Sequence, residues 1–186
     1  MMKSTRTLFY VSLLFILMAG CSYFIVRDQN LVKASYVAAD MLLKGVKDIH
    51  HLKPRNNGVY TKQPILVASF VNIDDLQESS TFGRIIAEQI GSRIAQRGYK
   101  VIELKLRTST VFVQRQTGEL LLSRKLREIS LQHDAYAVVV GTYGASKESV
   151  YVTAKLIRSE DSVILSSYDY RLLVGPDTKQ MLRKRR

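Results

Sequence analysis

Residues 65–107, ILVASFVNIDDLQESSTFGRIIAEQIGSRIAQRGYKVIELKLR, decide the fold. Ile65 to Val71 form an apolar run of strand length without alternation, as expected of a strand covered on both faces. Asn72 to Ser80 are polar and end in hydroxyl residues able to cap a helix. Phe82, Ile86, Ile90 and Ile94 then recur at steps of four with Ile85 beside them, which is a helical stripe. Gly98 follows where a left-handed residue closes a helix. From Tyr99 to Arg107 the pattern changes period: Ile102, Leu104 and Leu106 face one way, and Glu103, Lys105 and Arg107 the other. This is a strand, helix and strand in succession, and right-handed crossovers make the two strands parallel.

Working outward, Leu31 to Ile49 carry apolar residues at Leu31, Ala34, Val37, Ala38, Met41, Leu42, Val46 and Ile49, an amphipathic helix. His50 to Pro64 contain Pro54, Asn56-Asn57-Gly58 and Pro64 and read as a linker. Residues 108–117 are β-prone but poorly framed, strand or loop. Gly118 to His133 read as a helix, with Leu122, Leu126 and Ile129 at helical spacing. Ala135 to Tyr143 form another central-strand run, and two alternating strands follow, joined by a turn at Arg158 to Asp161. The order α-β-α-β-α-β-β-β gives an α/β (α+β) fold. Its mixed β-sheet has three parallel strands and a closing antiparallel meander, with helices packed on it.

The N-terminus carries its own signal. Lys3 and Arg6 precede thirteen uncharged, mostly apolar residues, Leu8 to Gly20, a secretory leader in form. That run is short for a membrane span, although continuing it through Val26 leaves an uncleaved anchor as the alternative. Met18-Ala19-Gly20-Cys21 resembles a bacterial lipobox, which implies cleavage between Gly20 and Cys21 and acylation of the Cys21 thiol. Cys21 is the only cysteine, so no disulfide forms within the chain. Ser22 at the second mature position implies, by the same resemblance, passage to the outer membrane. The expected divisions are a signal peptide at 1–20, an anchor with helix and linker at 21–63, a globular domain at 64–174 and a basic tail at 175–186, of which Met181 to Arg186 read as a solvated end.

Formal net charge is +12, and loss of Lys3 and Arg6 with the leader leaves +10. Export argues against nucleic acid as the partner of that charge; anionic glycan, lipid headgroups or acidic protein faces suit it better. Catalysis finds little support. His133-Asp134 is the one His–Asp pair of the body, and adjacent residues cannot make the orienting contact of a triad. His50 and His51 point apart and lack a ligand cluster, so no metal site is expected. Asp74, Asp75 and Glu78 read as dipole and capping partners of the helix that follows. The chain is therefore not expected to be an enzyme, and no cofactor, catalytic residue or metal ligand is assigned.

One stretch points to a partner. Gly118 and Glu119 precede Leu120, Leu121 and Leu122, and no single helix face holds three consecutive leucines. At least one is turned toward another element, either residues 108–116 or another subunit. Gly118, Glu119, Leu120, Leu121 and Arg124 are accordingly the candidate contact.

Taken together, SYVAADMLL (35–43), residues 69–107, GELLLSRKLREI (118–129), VVVGTY (138–143), VYVTAKLI (150–157) and VILSSYDYRL (163–172) resemble the FlgO family, over Ser35 to Leu173. Distant similarity extends to the front domain of TolB and to CsgG-like and LpoB domains. The resemblance implies an outer-membrane lipoprotein facing the periplasm that serves flagellar assembly and motility. It also implies a binding module whose partners are flagellar ring or basal-body proteins, or a second copy of the chain. A periplasmic lipoprotein that binds peptidoglycan or regulates a cell-wall synthase is the alternative.

Overall fold

A computed structural model describes residues 27–44, 52–54, 60–76, 79–104 and 124–183. Its elements are α1 (Leu31–Lys44), β1 (Leu52–Pro54), β2 (Tyr60–Lys62), β3 (Ile65–Ala68), β4 (Val71–Asn72), α2 (Thr81–Gln96), β5 (Val101–Leu104), α3 (Arg124–Gln132), β6 (Ala137–Ala145), β7 (Ser149–Arg158), β8 (Ile164–Leu173) and α4 (Pro176–Met181). The main sheet runs β5-β3-β6-β7-β8, and β4 adds to β6 beyond the end of β3. β3 is parallel to β5 and β6, and β6, β7 and β8 form the antiparallel meander. This is the mixed α+β sheet that the sequence pattern implies.

β3 is buried at every position because both faces of the sheet are covered there. On one face Ile65, Val67, Val139, Val152, Ala154, Leu156 and Leu172 meet α1 and α2 in the larger core. On the other, Leu66, Val138, Val140 and Ile157 meet Leu126 of α3, with Ile102, Leu104 and Ile129 alongside. The β5 alternation is therefore real, but Val101 on its other side also packs, against the larger core.

The ends of α2 are set by local chemistry. Ser80 caps it by accepting the Gly83 N–H at 3.3 Å, and its own N–H donates to the Tyr143 hydroxyl at 3.1 Å. Gly98 sits at φ +86°, the left-handed position expected of it. The cap is thus one of the hydroxyl residues that end the loop; Asp74 and Asp75 are exposed, and Glu78 lies outside the described residues.

Three parts differ from the sequence reading. β1 and β2 pair antiparallel, Leu52 opposite Lys62, inside the stretch read as a linker. The stretch set apart as a basic tail begins with α4, whose N-terminus is held from outside. The Asp28 carboxylate accepts the N–H groups of Gly175, Asp177 and Thr178 at 2.9–3.0 Å. Burial pushes the Asp28 carboxyl up, but the hydrogen bonds from Thr178, Asp177 and Gly175 outweigh it and leave the group below its ordinary value. The third difference is the buried stripe of α1, which is Ser35, Ala38, Ala39 and Leu42; Val37 and Met41 are 41% and 38% exposed. Small side chains face inward because α1 lies close against α2. There Ser35 donates to Gln89 at 2.8 Å, and Asp40 joins Arg93 at 2.9 Å and Arg97 at 2.8 Å.

Candidate functional site

The turned-out face of α1 and the last strand enclose a groove. Asn30 begins the helix, its side-chain oxygen accepting the Lys33 N–H at 2.9 Å. One turn further on, Lys33, Ala34 and Val37 form one wall, and Tyr168, Tyr170, Arg171 and Leu172 of β8 form the other. The space between them is about 300 Å³. Tyr168 and Tyr170 are two apart on the strand, so they share a face. Their rings stack with centroids 5.8 Å apart and planes at 24°.

Burial pushes the Tyr170 phenol well above its ordinary range. Ser35 is its nearest polar neighbour, yet no well-formed hydrogen bond closes on the buried hydroxyl among the described residues. At the rim stands the side chain of Lys33, whereas Arg171, between Tyr170 and Leu172, contributes to the wall from the strand and turns its side chain to the other face. The ion pairs among the described residues lie elsewhere, at Asp40 with Arg93 and Arg97 and at Arg158 with Asp161. An apolar floor with aromatic faces and a cation at the rim suits binding.

The sequence-derived sites lie apart from this groove. Gly20, Cys21, Gly118, Glu119, Leu120 and Leu121 fall outside the described residues, and Arg124 opens α3. No group of three or more His, Cys, Asp or Glu able to hold a metal occurs among the described residues. His133 and Asp134 form a turn at the end of α3, where Asp134 accepts from Gln63 at 3.0 Å. The groove itself had only a partial signal: Tyr168 and Tyr170 alternate visibly, but nothing local places α1 over them.

Residues 36–176 match the FlgO protein family. The chain belongs to the FlgO family. Among solved structures it is similar to the LpoB C-terminal domain from Salmonella enterica, at 13% identity and a TM-score of 0.48, covering 77% of this chain and 98% of that one. The LpoB C-terminal domain from Escherichia coli gives 12% and 0.47, with 79% and 99% covered. The PelC dodecamer from Paraburkholderia phytofirmans gives 15% and 0.40, with 61% and 72% covered. A comparison with curated protein sequences finds no match. No described helix is long and apolar enough to cross a membrane.

Proposed function

We propose that this protein is an outer-membrane lipoprotein that acts as a structural or assembly factor of the flagellar basal body and is needed for motility. Membership of the FlgO family over residues 36–176 carries the reading. The leader, Cys21 and Ser22 support the place of action. In this reading acyl chains on Cys21 hold the body at the periplasmic face of the membrane, at about 0.8 kcal/mol per buried methylene. Two or three chains anchor durably where one does not. The body then works by holding its neighbours, with Gly118, Glu119, Leu120, Leu121 and Arg124 as a contact to the ring.

Cys21→Ser tests the anchor and the role together. The variant is expected to lose radiolabelled palmitate, leave the outer-membrane fraction and fail to spread in soft agar. Full swimming with normal filaments in a strain lacking the gene would end the flagellar reading. Retention of Cys21→Ser in the membrane would end the lipid reading separately. Leu121→Arg, in a chain that keeps its lipid, is expected to reduce swimming while leaving membrane localisation intact.

A further inference from the structure

β8 is the last strand of the sheet, ten residues long, with one neighbour among the described residues. Exposed edges are normally blunted by shortness, by charged side chains (Lys above all), by Pro or by bulges, and a charge blocks pairing unless the incoming strand offers the opposite sign. From Ser166 to Leu172 this edge has no Lys and no Pro, and the register shift of the hairpin falls before it.

Hydrogen-bond parity shows which groups are free. Ser149 is opposite Leu173, but its N–H goes to the Ser146 hydroxyl at 3.2 Å, and the Leu173 N–H goes outward to Gln29 at 3.1 Å. That pair is not hydrogen-bonded, so by the alternation of antiparallel ladders Arg171, Asp169 and Ser167 also aim their N–H and C=O groups away from β7. Gln29 ends the open edge at Leu173.

We infer that this edge pairs antiparallel with the β8 edge of a second copy of the chain, about a two-fold axis through Tyr170. Charge selects the occupant and the register. Asp169 and Arg171 are both exposed and neither has an ion-pair partner among the described residues. An axis through Tyr170 places Asp169 of each copy opposite Arg171 of the other, two opposite-charge cross-strand pairs. An axis through Asp169 sets that carboxylate against itself, and one through Arg171 does the same to the guanidinium. An axis through Tyr168 sets Asp169 opposite Ser167 and leaves Arg171 facing the apolar Leu165.

The same axis fills the groove. It is perpendicular to the sheet, so both copies of α1 lie on one side of a continuous sheet. Paired strands are about 4.8 Å apart and α1 lies over β8 and the near side of β7, which brings the two helices to about 8–10 Å, the separation of packed helices. Val37 and Met41, turned away from their own core, then gain a neighbour. Lys33 stands at the rim on each side, and its long stem lets the ammonium reach solvent. None of this depends on the flagellar reading.

Sedimentation of the full chain in density-matched detergent tests the inference, with reversible dimerisation at micromolar concentration expected. Asp169→Arg and Arg171→Asp are each expected to weaken it about tenfold or more, because each creates two like-charge pairs. The double exchange carrying both substitutions restores complementarity and is expected to return within about threefold of the parent. Both positions are exposed, and far-UV circular dichroism verifies that each variant folds. A chain that stays monomeric, a dimer indifferent to the single reversals, or a double exchange that fails to recover each overturns the proposal.

Discussion

Replacing Gly141 by Ala tests how tightly the centre of the sheet is packed. Gly141 lies in the middle of β6, and the fully buried Phe70 ring lies directly on it. A methyl there would fall well inside contact with Cε1, Cδ1 and Cζ of that ring, the last at 2.6 Å. Carbon atoms rest at about 3.5–4.0 Å, so the nearest edge of the ring has to retreat by roughly 1.5 Å. It cannot take its backbone along. The Phe70 N–H donates to the Gly83 carbonyl at 3.2 Å, and its carbonyl accepts from the Ser79 hydroxyl at 3.0 Å. Overpacking of this kind costs about 3 kcal/mol, and the lower entropy of unfolded Ala returns up to about 1 kcal/mol, leaving roughly 2 kcal/mol of destabilisation. Urea unfolding followed by circular dichroism should show a lower midpoint with an unchanged slope. Adding Phe70→Leu makes room, so the double variant should cost less than the sum of the singles by about 0.5–3 kcal/mol. A Gly141→Ala protein within about 0.5 kcal/mol of the parent would refute the packing argument.

Hydrogen bonds from Arg97 and Arg93 hold the Asp40 carboxyl well below the usual carboxylate range. The stability this contributes is present above about pH 4, the unfolded value, and is lost as pH falls below it toward the folded one. Asp40→Asn should cost about 1 kcal/mol at neutral pH and flatten the acid limb of a melting-temperature profile; an unchanged limb would contradict the assignment. Asp28→Ala removes the acceptor for three backbone N–H groups of α4 and should cost about 1–2 kcal/mol, read as faster proteolysis near Met181 with the sheet intact. Tyr170→Phe discards a buried hydroxyl without a well-formed hydrogen bond and should leave stability at neutral pH within about 0.5 kcal/mol or raise it. Because burial raises this phenol, its contribution is present below about pH 10 and lost above it, so the Phe variant should unfold at higher pH than the parent.

What was legible in the chain were features whose causes are local. Ser80 and Gly98 bracket α2 because a cap and a left-handed residue act within one turn of the helix they end. The uninterrupted run at Ile65 to Ala68 announced a strand buried on both faces. On α1 the apolar stripe contains Ala38 and Leu42, which are buried, but apolarity alone does not mark Ser35 as inward or Val37 and Met41 as outward. Close approach to α2 favours Ser35, Ala38 and Ala39 and turns Val37 outward. The β1–β2 pairing lies in a segment whose Pro54 and Pro64 outweighed the Asn57-Gly58 turn signal. α4 was hidden because its cap comes from Asp28, almost the whole chain away. The groove has the same character: Lys33 and Val37 become neighbours of Tyr168 and Arg171 only through the packing of α1 on the sheet.

The carboxylate of Asp28 grips both the segment that leads into α1 and the segment that leaves β8. A pull applied ahead of residue 27 therefore arrives first at this clasp, before any strand of the sheet bears load. Tension would be shared between the two ends of the body, and the first event on stretching would be the release of one short helix. The sheet would keep its strands while the clasp gave way, since none of the bonds lost belongs to a strand ladder.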